Sequence, residues 1–290
     1  MIEKLNVKKR LKNSIIDMFS HGNNPMKDTF KHKGDSGLFG PGSQTWRIIS
    51  DVSGFMGGIR ALYLQAAHPE VVAGVYQHSN YKKDPFGRLS RTADYVAVTS
   101  FGAIPEVNAM IHHVKMMHQR VKGRSTRGIS YTGDSPELSS WVHNSLVNSF
   151  LVAYQLLGDT PISASDADCF VKEQTLLGQL MGANQLPETA DSLSEWIITH
   201  PDLEQTHETR AVVPFLNRPP LPVTMLVGYG FLKDAAIGSL PKTVRKILSL
   251  RTPNFHQRKG SFFTTFLRKA MGFSPARDVA IERIQLGQPL

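Results

Sequence analysis

The chain predicts an all-α, single-domain helical bundle, and three observations carry that expectation. Apolar residues recur at three- and four-residue spacings along most of the 290 residues, with no succession of alternating strands. Helix starts are written as capping residues before prolines, as in Ser135-Pro136-Glu137. The composition, 41% hydrophobic and 20% charged, is that of a globular chain.

Taken in order, Met1 to Ser20 spaces Leu5, Leu11, Ile15, Ile16, Met18 and Phe19 as one face of a short basic helix. His21 to Gln44, rich in Gly, Asn, Lys and Pro, reads as a loop. Trp46 to Gln65 reads as one helix with a buried face through Ile49, Val52, Met56 and Ile59. Helices follow at Pro69 to Ser79, Gly87 to Phe101 and Pro105 to Lys122, the last ending at Gly123 as a left-handed cap. Arg124 to Asp134 is a polar connection, and Pro136 to Leu157 a long helix. Further helices are expected from Ser163 or Ser165 to Met181, at Ser192 to Thr199, and at Val223 to Leu240. Four prolines between Pro214 and Pro222 predict an extended link. The expected organisation is a basic N-terminal helix and loop (1–43), an all-α body (44–240), and a basic C-terminal extension with short amphipathic pieces packed on it (241–290).

The formal charge of +9 is concentrated at the ends: net +8 over Phe231 to Leu290, +5 over Met1 to Gly34, and −4 between them. Solvated tails are the simplest meaning, and peripheral membrane contact the alternative. Nucleic-acid binding is not expected, because no aromatic platforms or recognition module accompany the charge. A single cysteine, Cys169, excludes an internal disulfide and a cysteine zinc site, and its acidic neighbours should raise its pKa. No apolar run reaches the length of a membrane span and no signal-peptide pattern is present, so a cytoplasmic protein is expected.

Three clusters turn polar groups toward apolar helix faces. Arg88, Arg91 and Thr92 stand at i, i+3 and i+4, with Tyr95, Val96 and Thr99 continuing their face. Two arginines there need an anion, supplied by a ligand or by acids such as Asp84 or Asp94. His118 follows Met110, Val114 and Met117 on the apolar side of its helix. His143 leads Val147, Phe150, Leu151 and Tyr154. His68, before Pro69, caps or lines the start of the next helix. A buried neutral imidazole serves as a metal ligand or, more often, as a hydrogen-bonded core residue. No His-Glu-x-x-His spacing and no phosphate loop occurs; Gly54-Phe55-Met56-Gly57-Gly58 lacks a preceding strand.

The ordered set Ala67-His68-Pro69, Gly74, His78-Ser79, Arg88-Leu89-Ser90-Arg91-Thr92, His118-x-x-Val121-x-Gly123, Ser135-Pro136, Trp141-Val142-His143 and Leu186-Pro187 resembles the MpaB/rubber-oxygenase catalytic-domain family from about Gln44 to Leu240. The resemblance implies a globin-like core holding haem b, hence iron, and oxidative chemistry with dioxygen. It makes His118 the proximal iron ligand, with His143 the second cofactor-binding candidate. Arg88 and Thr92 match the distal polar residues, Arg88 also serving the cofactor. Arg91 stands where latex-clearing proteins carry a lysine able to occupy the distal iron position. Arginine keeps its proton, so the sixth position is expected to be water or open, and polyisoprene cleavage is not carried over. The expected function is a haem-dependent oxygenase or oxidase acting on a hydrophobic or small organic substrate. The alternative is a non-catalytic helical protein binding an apolar ligand, with basic ends for membrane or partner contact. The sequence leaves the oligomeric state open.

Overall fold

The computed structural model describes residues 26–287; the basic helix expected at Met1 to Ser20 lies outside the described residues. After a 3₁₀ turn at Thr29–Lys31 come α1 (Gln44–Ile49), α2 (Gly54–Ala66), α3 (Pro69–His78), α4 (Pro85–Phe101) and α5 (Ile104–His118). A hairpin of β1 (Lys122–Arg124) and β2 (Ser130–Thr132) precedes α6 (Pro136–Leu157) and α7 (Ala164–Leu180). Then follow α8 (Ala190–Thr199), α9 (His207–Asn217), α10 (Val223–Ser239), α11 (Lys242–Ile247), α12 (His256–Met271) and α13 (Pro275–Gln285). The fold is all-α, with that one antiparallel hairpin among the described residues.

Helix α6 forms the axis. Ser135 caps it by accepting from the Leu138 amide, Pro136 occupies its first turn, and Trp141, Val147, Leu151 and Tyr154 are buried along it. Helix α2 runs antiparallel beside it, as falling partners show: Gly57 lies against Phe150, Arg60 Nη1 donates to Asn148 Oδ1 (2.8 Å), and the His68 ring meets Trp141. A Cβ on Gly57 would stand 3.2 Å from Phe150 Cα and 2.8 Å from its ring, so the helices come this close only at glycine. Helix α10 covers α2, α12 packs on α10 and α6, and α7 and α8 flank the other side of α6. Helices α4 and α5 pack on each other, and α4 also on α1 and α13. Among the described residues neither packs closely against α2 or α6.

Four local expectations change. The helix expected over Trp46 to Gln65 is two helices, because Asp51 turns the chain: its carboxylate accepts from the Ser53 amide at 2.8 Å and is gripped by Arg268. The helix expected to reach Lys122 ends at His118, and the polar connection after it pairs into the hairpin, with Gly123 opposite Tyr131. Gly123 serves there as a close approach to Tyr131 and Gln77, and not as a left-handed cap. Pro214 lies inside α9, so only Arg218 to Pro222 is extended. One missing amide is tolerated because Thr206 caps the helix and Val212 and Val213 bury its face. The basic C-terminal region forms three helices, α12 being 16 residues long, in place of short pieces.

Candidate functional site

Helices α4 and α5 are joined by Gly102 and Ala103 and fold back on one another, with Tyr95 of α4 packing beside Val107 and Ile111 of α5 and Leu177 of α7. Counting outward from that turn, Arg88, Arg91 and Thr92 lie toward the same far end of the hairpin as His118. Asp84 caps α4 by accepting from the Gly87 amide (2.8 Å), and it also meets Arg91 Nη1 at 3.6 Å in an exposed ion pair. Thr92 is half-buried; the Arg88 side chain lies outside what is described. Burial pushes the Tyr95 phenol above its usual pKa, so it stays protonated.

His118 is half-buried at the C-terminal end of α5, and among the described residues no hydrogen bond or ion pair holds its ring. Burial lowers its pKa, with Asp134 acting in the opposite sense, so the ring is neutral. Its carbonyl lies against Gly133, which brings this end of α5 to the start of α6. There Ser139, Val142, Leu146 and Phe150 stay partly exposed on α6, whose other residues from Leu138 to Leu151 are buried. Gly54, Gly58 and Leu62 stay partly exposed on antiparallel α2, and a Cβ at Gly58 would meet nothing within 4 Å.

His143 faces elsewhere. Its ring is buried against α7, hydrogen-bonded to the Gln174 backbone, and burial lowers its pKa to about 4. Gly178 makes room for it: a Cβ there would stand 3.0 Å from His143 Nε2. Cys169 is exposed, its pKa raised by burial and by Glu173.

A second cluster was only half legible. His68 is buried at the N-cap of α3, with Nδ1 3.6 Å from Glu70 Oε2. His200, at the end of α8, lies edge-on to His68 (ring centroids 5.3 Å), Trp141 (4.7 Å) and Trp196 (4.8 Å). Asp202 follows two residues later. Arg127, from the β1–β2 loop, donates through Nε and Nη2 to both oxygens of Glu70 (2.8 and 2.7 Å) and through Nη2 to Asp202 (3.1 Å). Burial works to raise the Glu70 pKa, yet the Arg127 and Ser125 hydrogen bonds hold it below the ordinary value. His200 and Asp202 escaped the sequence reasoning. Their signal was a second His-Pro dipeptide, His200-Pro201, echoing His68-Pro69.

Fold and geometry thus define an all-α protein with partly open apolar residues on α2 and α6 and a half-buried histidine at the end of α5. The chain belongs to the family described as the catalytic domain of ER-bound oxygenase mpaB/B' and rubber oxygenase, which matches residues 46–273. It is accordingly an oxygenase domain, an oxidoreductase whose reactants are dioxygen and a small-molecule substrate. Two uncharacterized proteins, one from Mycobacterium bovis and one from Mycobacterium tuberculosis, are each 26% identical over 231 residues, which is 74% of this chain and 87% of theirs. No solved structure matches the chain. No helix among the described residues is long and apolar enough to cross a membrane.

Proposed function

We propose that this protein is a haem b-dependent oxygenase or oxidase that acts on a hydrophobic or small organic substrate, with His118 as the proximal ligand. The observation that carries the proposal is the His118 ring itself, half-buried, neutral and held by no hydrogen bond or ion pair among the described residues. The chain's residues fit a haem by their chemistry: His118 offers an imidazole lone pair, and Leu62, Val142 and Leu146 leave apolar side chains partly open. His143 is the weaker ligand, since its ring is already hydrogen-bonded and packed on α7.

Bound haem would supply redox-active iron for dioxygen chemistry. The chain's own residues do the rest. Asp134 acts electrostatically on His118 and is the group to hold the proton of its second ring nitrogen. Leu62, Val142 and Leu146 exclude water and receive the apolar part of the substrate. Thr92 and the guanidinium groups of Arg88 and Arg91 offer hydrogen bonds to developing negative charge or to a haem carboxylate, and Tyr95 stays a donor because burial keeps it protonated. Arg91 is steadied for this by Asp84. A cytoplasmic setting, with a lone reduced cysteine, completes the proposal.

The test is the absorption spectrum of the purified protein with and without carbon monoxide. A Soret band that shifts with carbon monoxide, and is lost in His118→Ala but kept in His143→Gln, is the expected result. A colourless protein that takes up no added haemin would overturn the proposal.

The basic C-terminal region also supports peripheral membrane contact. Arg258, Phe262, Thr265, Phe266 and Lys269 share one exposed face of α12, and Phe262 is 71% exposed.

A further inference from the structure

His68, His200 and Asp202 each bring a ligand-type atom to one point, all within 4.8 Å of one another. We propose that this nest, where the end of α2 meets Trp141 of α6, binds a divalent first-row transition-metal ion of the zinc or ferrous class. Two imidazoles and a carboxylate are the donor set such ions take, with solvent completing the shell.

The strongest pointer is a buried ring nitrogen that makes no hydrogen bond. His68 is 4% exposed, and its Nδ1 makes no hydrogen bond. Its nearest acceptor, Glu70, is already occupied: Oε1 receives Ser125 Oγ and Arg127 Nε, both at 2.8 Å, and Oε2 receives Arg127 Nη2 at 2.7 Å. A buried ring nitrogen left so costs stability, and a metal ion is a partner that would satisfy it.

The surroundings hold the ligands in place. Both histidines precede a proline, which keeps their backbones extended (φ −97°, ψ 119° and φ −57°, ψ 123°) and out of the adjoining helices. Trp141 packs on both rings, and Trp196 closes the far side of His200. Arg127 does not forbid a cation, because two of its bonds are spent on Glu70, and the group Glu70, Asp202 and Arg127 sums to one negative charge. The Asp202 side chain is 46% exposed and His200 is partly open, so an ion can enter from solvent. Bonds of about 2.0–2.1 Å require ligand atoms about 3.3 Å apart, a closure that these two outer side chains can make.

Zinc is the probe, because haem iron does not interfere with its measurement. The tag-free full chain is stripped with chelator, equilibrated with zinc, and analysed for bound metal; the Soret band is read on the same samples. The expected result is one zinc per chain, weakened tenfold or more in His200→Ala and in Asp202→Asn, and unchanged in His112→Ala, an exposed control. Quenching of Trp fluorescence by cobalt(II) should track the same variants, since two of the three tryptophans touch His200. Zinc uptake equal in wild type and both variants, or no uptake at all, overturns the proposal. Zinc uptake without a Soret band would remove the haem proposal and leave this one standing.

Discussion

Arg268 on α12 grips Asp51 through two nitrogens, Nε to Oδ2 at 3.0 Å and Nη2 to Oδ1 at 2.9 Å, and Nη2 also donates to the Leu157 carbonyl (2.7 Å). The Asp51 side chain is 2% exposed, so this pair fastens the C-terminal region to the α1–α2 break and to the end of α6 at once. Burial opposes the charge on Arg268, and Asp51 more than restores it. Arg268→Ala would leave a buried carboxylate unpaired, at a cost of about 3–5 kcal/mol. Arg268→Lys, which keeps the charge and loses the fork, should fall between. Denaturant unfolding of the three proteins measures this; a loss under about 1 kcal/mol for Arg268→Ala would show the pair to be dispensable.

Gly178 should be intolerant of even a methyl group. Its Cβ would stand 2.6 Å from Leu186 Cδ2 and 2.9 Å from His143 Cδ2, both in packed surroundings. Gly178→Ala is expected to cost about 1–3 kcal/mol through overpacking. Shortening the ring opposite, in Gly178→Ala/His143→Ala, should recover part of that cost. Additive losses in the double-mutant cycle would mean that the two residues do not press on each other.

His143 should also shape the acid limb of stability. Its pKa falls from an ordinary 6.5 to about 4, burial being the cause, and no charged group contributes. Above about 6.5 the ring is neutral in both folded and unfolded chains. Between 6.5 and 4 the unfolded chain takes up a proton that the folded one refuses, so stability is lost as pH falls through that window. The loss amounts to at most about 3 kcal/mol. His143→Gln should flatten that part of the profile, and parallel acid limbs would count against the assignment.

Much of the helical framework was legible because capping chemistry is local. Ser135 was readable as a cap and does accept from the Leu138 amide; Asp84, expected only as an arginine partner, and Thr189, expected in a break, cap α4 and α8 in the same way. The interruptions were not legible, because they depend on distant partners. Asp51 breaks a periodic stretch with help from Arg268, 217 residues away. Pro214 stays helical because its neighbours bury against other helices. The site divides along the same line. Spacing put His118 and the Arg91–Thr92 face on helices, whereas the meeting of His68, His200 and Asp202 needs the ends of α3 and α8 to fold together.

The proposed membrane contact through α12 yields the last test. Phe262 and Phe266, 71% and 50% exposed, lie one helical turn apart, with Arg258 and Lys269 on the same face. Soluble surfaces rarely leave aromatic pairs so open, and a basic rim around them suits an anionic bilayer. Aromatic insertion and charge attraction should then act together. Co-sedimentation with vesicles containing phosphatidylserine should fall several-fold in Phe262→Ser/Phe266→Ser and also when salt is raised. Neutral phosphatidylcholine vesicles should bind far less of the wild type. Because both phenylalanines point away from the core, the variant should keep its melting temperature. Equal binding of wild type and variant would return the basic end to the role of a solvated surface.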